Sequence, residues 1–253
     1  MPVSPATRNW RYALLATFIL VPVVNYLPIL LDVSQDRFTD DVDTRVDAAG
    51  YGFSIWGVIF TGMLIFSALQ LKVDRDTVPL RRAYRFLTVA GLASIAFVPI
   101  SLGSNQLWGF VDLLWHLVAL IGAHLALRAH VREVGDPQYG WTYFAPSIYL
   151  GWISAATVIS TALALDQLGV SFAPQTAIYI ATALVLVLIS LGIYLGLRND
   201  GIYALTVAWA LVAVAVEQQD APPIFWAGIA GAVALVMLAL SGILGKRKFF
   251  YAT

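Results

Sequence analysis

The segment from 51 to 71, YGFSIWGVIFTGMLIFSALQL, carries no charged side chain. As a helix it is roughly 30 Å long, about the thickness of a bilayer's hydrocarbon core. Seven further apolar runs lie at 12–31, 86–102, 107–127, 142–165, 176–197, 202–216 and 224–245. Backbone groups inside hydrocarbon need internal partners, so such runs are helices or the strands of a closed barrel. These runs are too long and continuous for the roughly ten-residue alternating strands of a barrel. Composition agrees: 60% of the residues are hydrophobic and 12% charged, against about 25% charged in soluble domains. The expected fold is all-α, a polytopic membrane protein of about eight transmembrane helices. The lipid bilayer is its constant partner, and no nucleic-acid partner is expected. With no cysteine in the chain, disulfide and thiolate chemistry are excluded. The first apolar run is long enough to span and no small-residue cleavage site follows it, so it reads as a helix rather than a removable signal.

Charge placement gives an orientation. Arg8 and Arg11 precede the first run, and Lys72, Arg75, Arg81, Arg82 and Arg85 follow the second. Arg128 and Arg132 follow the fourth, Arg198 the sixth, and Lys246, Arg247 and Lys248 the last. With eight spans, 13 of the 15 basic residues share one side, and only Arg37 and Arg45 fall opposite. By the positive-inside rule both termini are expected in the cytoplasm, in a multi-pass protein of the plasma (inner) membrane. The loop 32–50 on the outer side is acidic, with Asp32, Asp36, Asp40, Asp41, Asp43 and Asp47. It reads as a solvated loop, or as a lid over an outward-facing cavity. The Asp41 and Asp43 pair lacks a calcium-loop pattern, and no metal is expected.

Several spans carry groups that lipid exposure does not require. The second holds Gly52, Ser54, Gly57, Thr61 and Gly62 beside Tyr51, Phe53 and Trp56, as suits an interior helix lining a cavity, because small residues admit close neighbours and hydroxyls bond across helices. The fourth holds Asp112, His116 and His124. Asp112 and His116 are four apart and share a helix face. An ionisable residue inside a membrane is a functional candidate by default. Three readings stand for this pair: a hydrogen-bonded pin for helix packing, a polar contact or axial ligand for a bound tetrapyrrole, and a proton relay. In the fifth span Tyr149, Trp152 and Ala156 fall on one face and suit a ligand wall, or ordinary small-residue packing. Three histidines on one helix without clustered carboxylates do not make a zinc hydrolase site. No lysine lies inside a span to hold retinal. Ser104, His116 and Asp112 lack the strained nucleophile motif of a hydrolase. No catalytic residues are assigned, and the chain is not expected to be an enzyme.

The stretch from Gly50 to Phe60, GYGFSIWGVIF, resembles the start of the second helix in the translocator protein family, also called tryptophan-rich sensory proteins. Phe53 and Trp56 match the family's Phe and Trp, Tyr51 stands for its first Trp, and Ala48-Ala49 replaces its Pro-Pro. Tyr149-Leu150-Gly151-Trp152-Ile153-Ser154-Ala155-Ala156 is similar to the family's Pro-Tyr-Leu-x-Trp-Val-x-Phe-Ala, and Leu114-Trp115 to its Leu-Trp. The resemblance implies a five-helix bundle over 1–165, followed at 166–253 by three additional helices and a basic tail. It implies membrane-embedded binding, sensing or transport of a hydrophobic ligand, such as a porphyrin, haem or a sterol-like molecule, with no cofactor required. Phe53, Trp56, Trp115, Tyr149, Trp152 and Ala156 are the ligand-binding candidates. His116 joins them from the reading of its own span. A proton-coupled transporter using Asp112 and His116 is one alternative, and a membrane enzyme acting on a lipid or porphyrin is another. A homodimer remains open.

Overall fold

The computed structural model describes residues 3–31, 45–102, 106–135, 143–170 and 172–243. Eight α-helices follow in order: α1 (Pro5–Leu30), α2 (Ile55–Gln70), α3 (Val78–Ser101), α4 (Gln106–Val134), α5 (Phe144–Gln167), α6 (Pro174–Leu197), α7 (Gly201–Glu217) and α8 (Pro222–Ile243). A 3-10 turn, Gly50–Ser54, leads into α2. No strand occurs among the described residues. Seven of the helical segments are long and apolar enough to cross a membrane, and α7 is a shorter apolar helix. The chain is thus an all-α, multi-pass membrane protein. Most of the acidic loop, including Asp41 and Asp43, and the tail with Lys246, Arg247 and Lys248 lie outside the described residues.

Each apolar run expected from the sequence contains a helix, but several ends differ. Helix α3 starts at Val78, not at Phe86. Thr77 caps it by accepting from the Leu80 backbone N–H at 3.2 Å, and a proline sits in the first turn, where its missing N–H does no harm. Arg81, Arg82 and Arg85 therefore ride on helix rather than loop. Helix α4 likewise runs past Leu127 to Val134, 29 residues, or about 43 Å. Its last turns outreach the hydrocarbon core and carry Arg128 and Arg132.

The chain forms two compact units. The first holds α1, α2, α3, α4 and the start of α5. Within it α3 packs on both α1 and α4. The buried faces follow helical spacing: Leu14, Phe18 and Val21 on α1; Leu80, Ala83, Leu87 and Ala90 on α3; Leu120, Ala123, Leu127 and Val131 on α4. The Tyr84 hydroxyl donates to Gln70 Oε1 at 3.0 Å and ties α3 to the end of α2.

One carboxylate organises the basic end of this unit. Asp76, in the α2–α3 loop, accepts from the Ser4 backbone N–H at 2.8 Å and from the Thr7 hydroxyl at 2.6 Å. It thus ties the α2–α3 loop to the start of α1, where Ser4 is the N-cap, its Oγ accepting from the Thr7 N–H at 3.3 Å. Arg81 lies 3.7 Å from the same carboxylate, and Arg11 donates to the Arg75 carbonyl at 2.9 Å. Burial pushes the Asp76 carboxyl pKa up, but the hydrogen bonds from Thr7 and Ser4 and the Arg81 charge outweigh it and bring it from the ordinary 3.8 to about 2. Because the folded carboxyl binds its proton more weakly than the unfolded one, its contribution is complete above the ordinary value and fades as pH falls toward about 2. Asp76→Ala is expected to cost about 2–3 kcal/mol near neutral pH, from two charge-assisted bonds. The gap to wild type should narrow below pH 4, as read by thermal unfolding in detergent across pH. An equal gap at all pH values would contradict an ionised Asp76 in these bonds.

The second unit holds residues 45–55, the rest of α5, and α6, α7 and α8. Here α6, α7 and α8 pack on one another. Helix α7 is buried on nearly every side, at Ala204, Val207, Ala208, Ala210, Leu211, Ala213, Val214 and Ala215. Its alanines let neighbours come close. Asp200 caps it, accepting from the Tyr203 backbone N–H at 2.9 Å. The segment before α2 lies along α7. The Ala49 N–H donates to the Ala213 carbonyl at 3.0 Å, and the Trp209 indole N–H donates to the Gly52 carbonyl at 3.1 Å. A Cβ on Gly52 would stand 2.9 Å from the Ala213 Cβ, so this approach requires glycine. The sequence places a helix from Tyr51; the structure spends 50–54 on this docked turn and starts α2 at Ile55.

Candidate functional site

The polar interior of the first unit centres on α4 and α5. His116 is 1% exposed and Tyr149 is fully buried. The imidazole Nε2 and the Tyr149 hydroxyl are hydrogen-bonded. The same hydroxyl lies 3.3 Å from the Ala90 carbonyl on α3. When its proton goes to that carbonyl, His116 donates from Nε2 and Nδ1 is a lone-pair acceptor; when its proton goes to His116, Nε2 accepts and Nδ1 carries the ring proton. Among the described residues His116 Nδ1 has no hydrogen-bond partner, and neither does Asp112 Oδ2, one turn earlier on α4. Asp112 is 7% exposed. A buried polar group left unpaired costs about 1–3 kcal/mol, and these two lie one turn apart on one face of α4.

Aromatic side chains surround this polar core. Trp56 on α2 meets Tyr149 edge-on at 6.1 Å between ring centroids and leans on Phe60 at 5.2 Å. Phe18 on α1 meets the Tyr149 ring edge-on at 6.2 Å. His116 stands perpendicular to it at 5.0 Å. These edge-to-face arrangements align ring edges with the negative ring faces. Farther along α1, Asn25 donates to the Val21 carbonyl at 2.9 Å and to the Ser94 carbonyl on α3 at 3.3 Å. Phe18, Asn25, Phe60, Ala90 and Ser94 were not among the sequence candidates. Asn25 had a usable signal, an amide inside an apolar run; the others look like ordinary span residues.

Two sequence expectations change. Trp115, read as a pocket residue, is 64% exposed on the outer face of α4. Successive helical residues diverge by about 100°, so a helix that turns His116 inward turns Trp115 toward lipid. The hydrogen bond made by His116 goes to Tyr149, and the pin between Asp112 and His116, one of the three readings of that pair, does not form. The other aromatic candidates belong to the second unit. Trp152 is 2% exposed and meets Phe53 edge-on at 5.8 Å, next to the edge-on pair of Tyr51 and Trp209 at 5.5 Å. Ala156 is half-buried, one turn beyond Trp152.

These residues offer aromatic surfaces and buried hydrogen-bonding groups. No curated protein and no solved structure shows significant similarity to the chain. A sequence model of the family described as TSPO-like protein matches residues 11–241, from α1 through α8. That family is one of membrane ligand binding or sensing in general. With the match spanning every helix, the chain belongs to the TSPO-like protein family.

Proposed function

We propose that this protein binds a flat hydrophobic ligand, such as a metal-free tetrapyrrole, within the membrane and acts as its sensor or carrier. The observation that carries the reading is the contact of Trp56 and Tyr149, edge to face, beside the buried His116–Tyr149 hydrogen bond. Aromatic walls with a few placed polar groups are the usual make-up of a small-molecule site. A sterol-like molecule would use the same walls and could give its one hydroxyl proton to a single acceptor. The engaged Nε2 of His116 favours a metal-free ring over haem. The one-sided placement of Lys and Arg supports cytoplasmic termini.

The test is a titration of the purified protein, in nanodiscs of zwitterionic lipid, with metal-free protoporphyrin. Tryptophan fluorescence should be quenched saturably at micromolar ligand. Trp56→Ala should weaken the apparent affinity about tenfold, the loss of one stacked ring. Absence of saturable quenching, or a Trp56→Ala curve that overlays wild type, would overturn the proposal.

A further inference from the structure

Resting on the ligand reading above, we infer that Asp112 and His116 form a buried recognition subsite for a protonated nitrogen on the ligand. Asp112 Oδ2 and His116 Nδ1 are both buried and both lack a partner among the described residues. Asp112 Oδ2 accepts as a carboxylate oxygen, and His116 Nδ1 accepts in the tautomer whose Nε2 carries the ring proton toward Tyr149. The two residues are one turn apart on the same face of α4. The donor does not come from a basic side chain of the same unit. Its described lysine and arginines sit on the first turns of α1 and α3, in the α2–α3 loop and on the last turns of α4. The nearest of these along α4, Arg128, is about 18 Å from His116 and about 24 Å from Asp112 by helical rise. The Tyr149 ring stands against the His116 ring and is itself met edge-on by Phe18 and Trp56. Buried, unpartnered Asp112 and His116 beside that aromatic cluster are complementary to a flat hydrophobic molecule that carries an ammonium or a ring N–H, and not to a hydrocarbon or a carboxylate.

The experiment compares three pyrene probes of nearly equal size: 1-pyrenemethylamine, protonated at neutral pH; 1-pyrenemethanol; and 1-methylpyrene. Binding to the protein in zwitterionic nanodiscs is read by energy transfer from tryptophan. The amine should bind wild type about tenfold or more tightly than methylpyrene, the worth of one charge-assisted hydrogen bond. Asp112→Asn should reduce that advantage to about threefold or less while methylpyrene affinity stays unchanged, which also shows that the variant is folded. Equal binding of amine and methylpyrene by wild type, or a full advantage retained in Asp112→Asn, would overturn the subsite and leave the ligand reading intact. Failure of all three probes and of protoporphyrin to bind would overturn the ligand reading itself. Should Asp112→Asn fail to fold, the wild-type comparison of amine with alcohol decides, and equal affinity counts against the subsite.

Discussion

Tyr149→Ala is expected to destabilise the protein by about 4 kcal/mol, measured by equilibrium unfolding in mixed micelles. Removing a buried aromatic side chain leaves a cavity and costs about 3–5 kcal/mol. Tyr149 is fully buried and touches Phe18, Trp56 and His116 by its ring. The hydroxyl adds its own share, because it is hydrogen-bonded to His116 Nε2 and lies against the Ala90 carbonyl. Tyr149→Phe isolates that share, keeps the ring and should cost about 1–3 kcal/mol. A Tyr149→Ala protein within 1 kcal/mol of wild type would mean that this residue is not packed in the interior.

The second large effect concerns helix approach in the other unit. A Cβ on Gly151 would stand 2.8 Å from the Thr206 Cβ, 3.0 Å from its Cγ2 and 3.3 Å from the Tyr203 carbonyl oxygen. A rotamer change relieves none of the contacts with backbone or a branched Cβ. Gly151→Leu therefore forces α5 and α7 apart and is expected to cost about 3 kcal/mol or more, at the top of the range for overpacking. Gly57 is the internal control: nothing lies within 4 Å of its would-be Cβ. Gly57→Leu should change unfolding free energy by less than about 0.5 kcal/mol, as at an open surface position. Equal costs at the two positions would contradict the packing described here.

How much of this was legible in the sequence follows from what polarity can encode. Helix existence was legible because hydrocarbon thickness and backbone satisfaction leave few options for runs as apolar as 51–71 or 176–197. Helix ends were not, since α3 and α4 continue for two turns or so through arginines once outside the hydrocarbon. Their limits depend on a cap at Thr77 and on length, not on hydropathy. The docked turn 50–54 was read as helix because its residues are apolar; its conformation comes from hydrogen bonds to α7, more than 150 positions away in the chain. In the site, His116 and Tyr149 were each conspicuous on their own span. Their mutual hydrogen bond is a fact of packing that no spacing within one helix can express. Trp115 illustrates the opposite failure. A tryptophan adjacent to a functional histidine is, by helical geometry, unlikely company for it, and motif likeness alone placed it in the pocket.

The most direct test of the central claim is a structure of the protein in nanodiscs with metal-free protoporphyrin bound. The expected result is ring density in contact with Trp56 and Tyr149, with a ring nitrogen within hydrogen-bond distance of Asp112 or His116. Density lying instead on the lipid-facing side of α4, against Trp108 and Trp115, with the Trp56–Tyr149–His116 cluster unchanged and untouched, would contradict it.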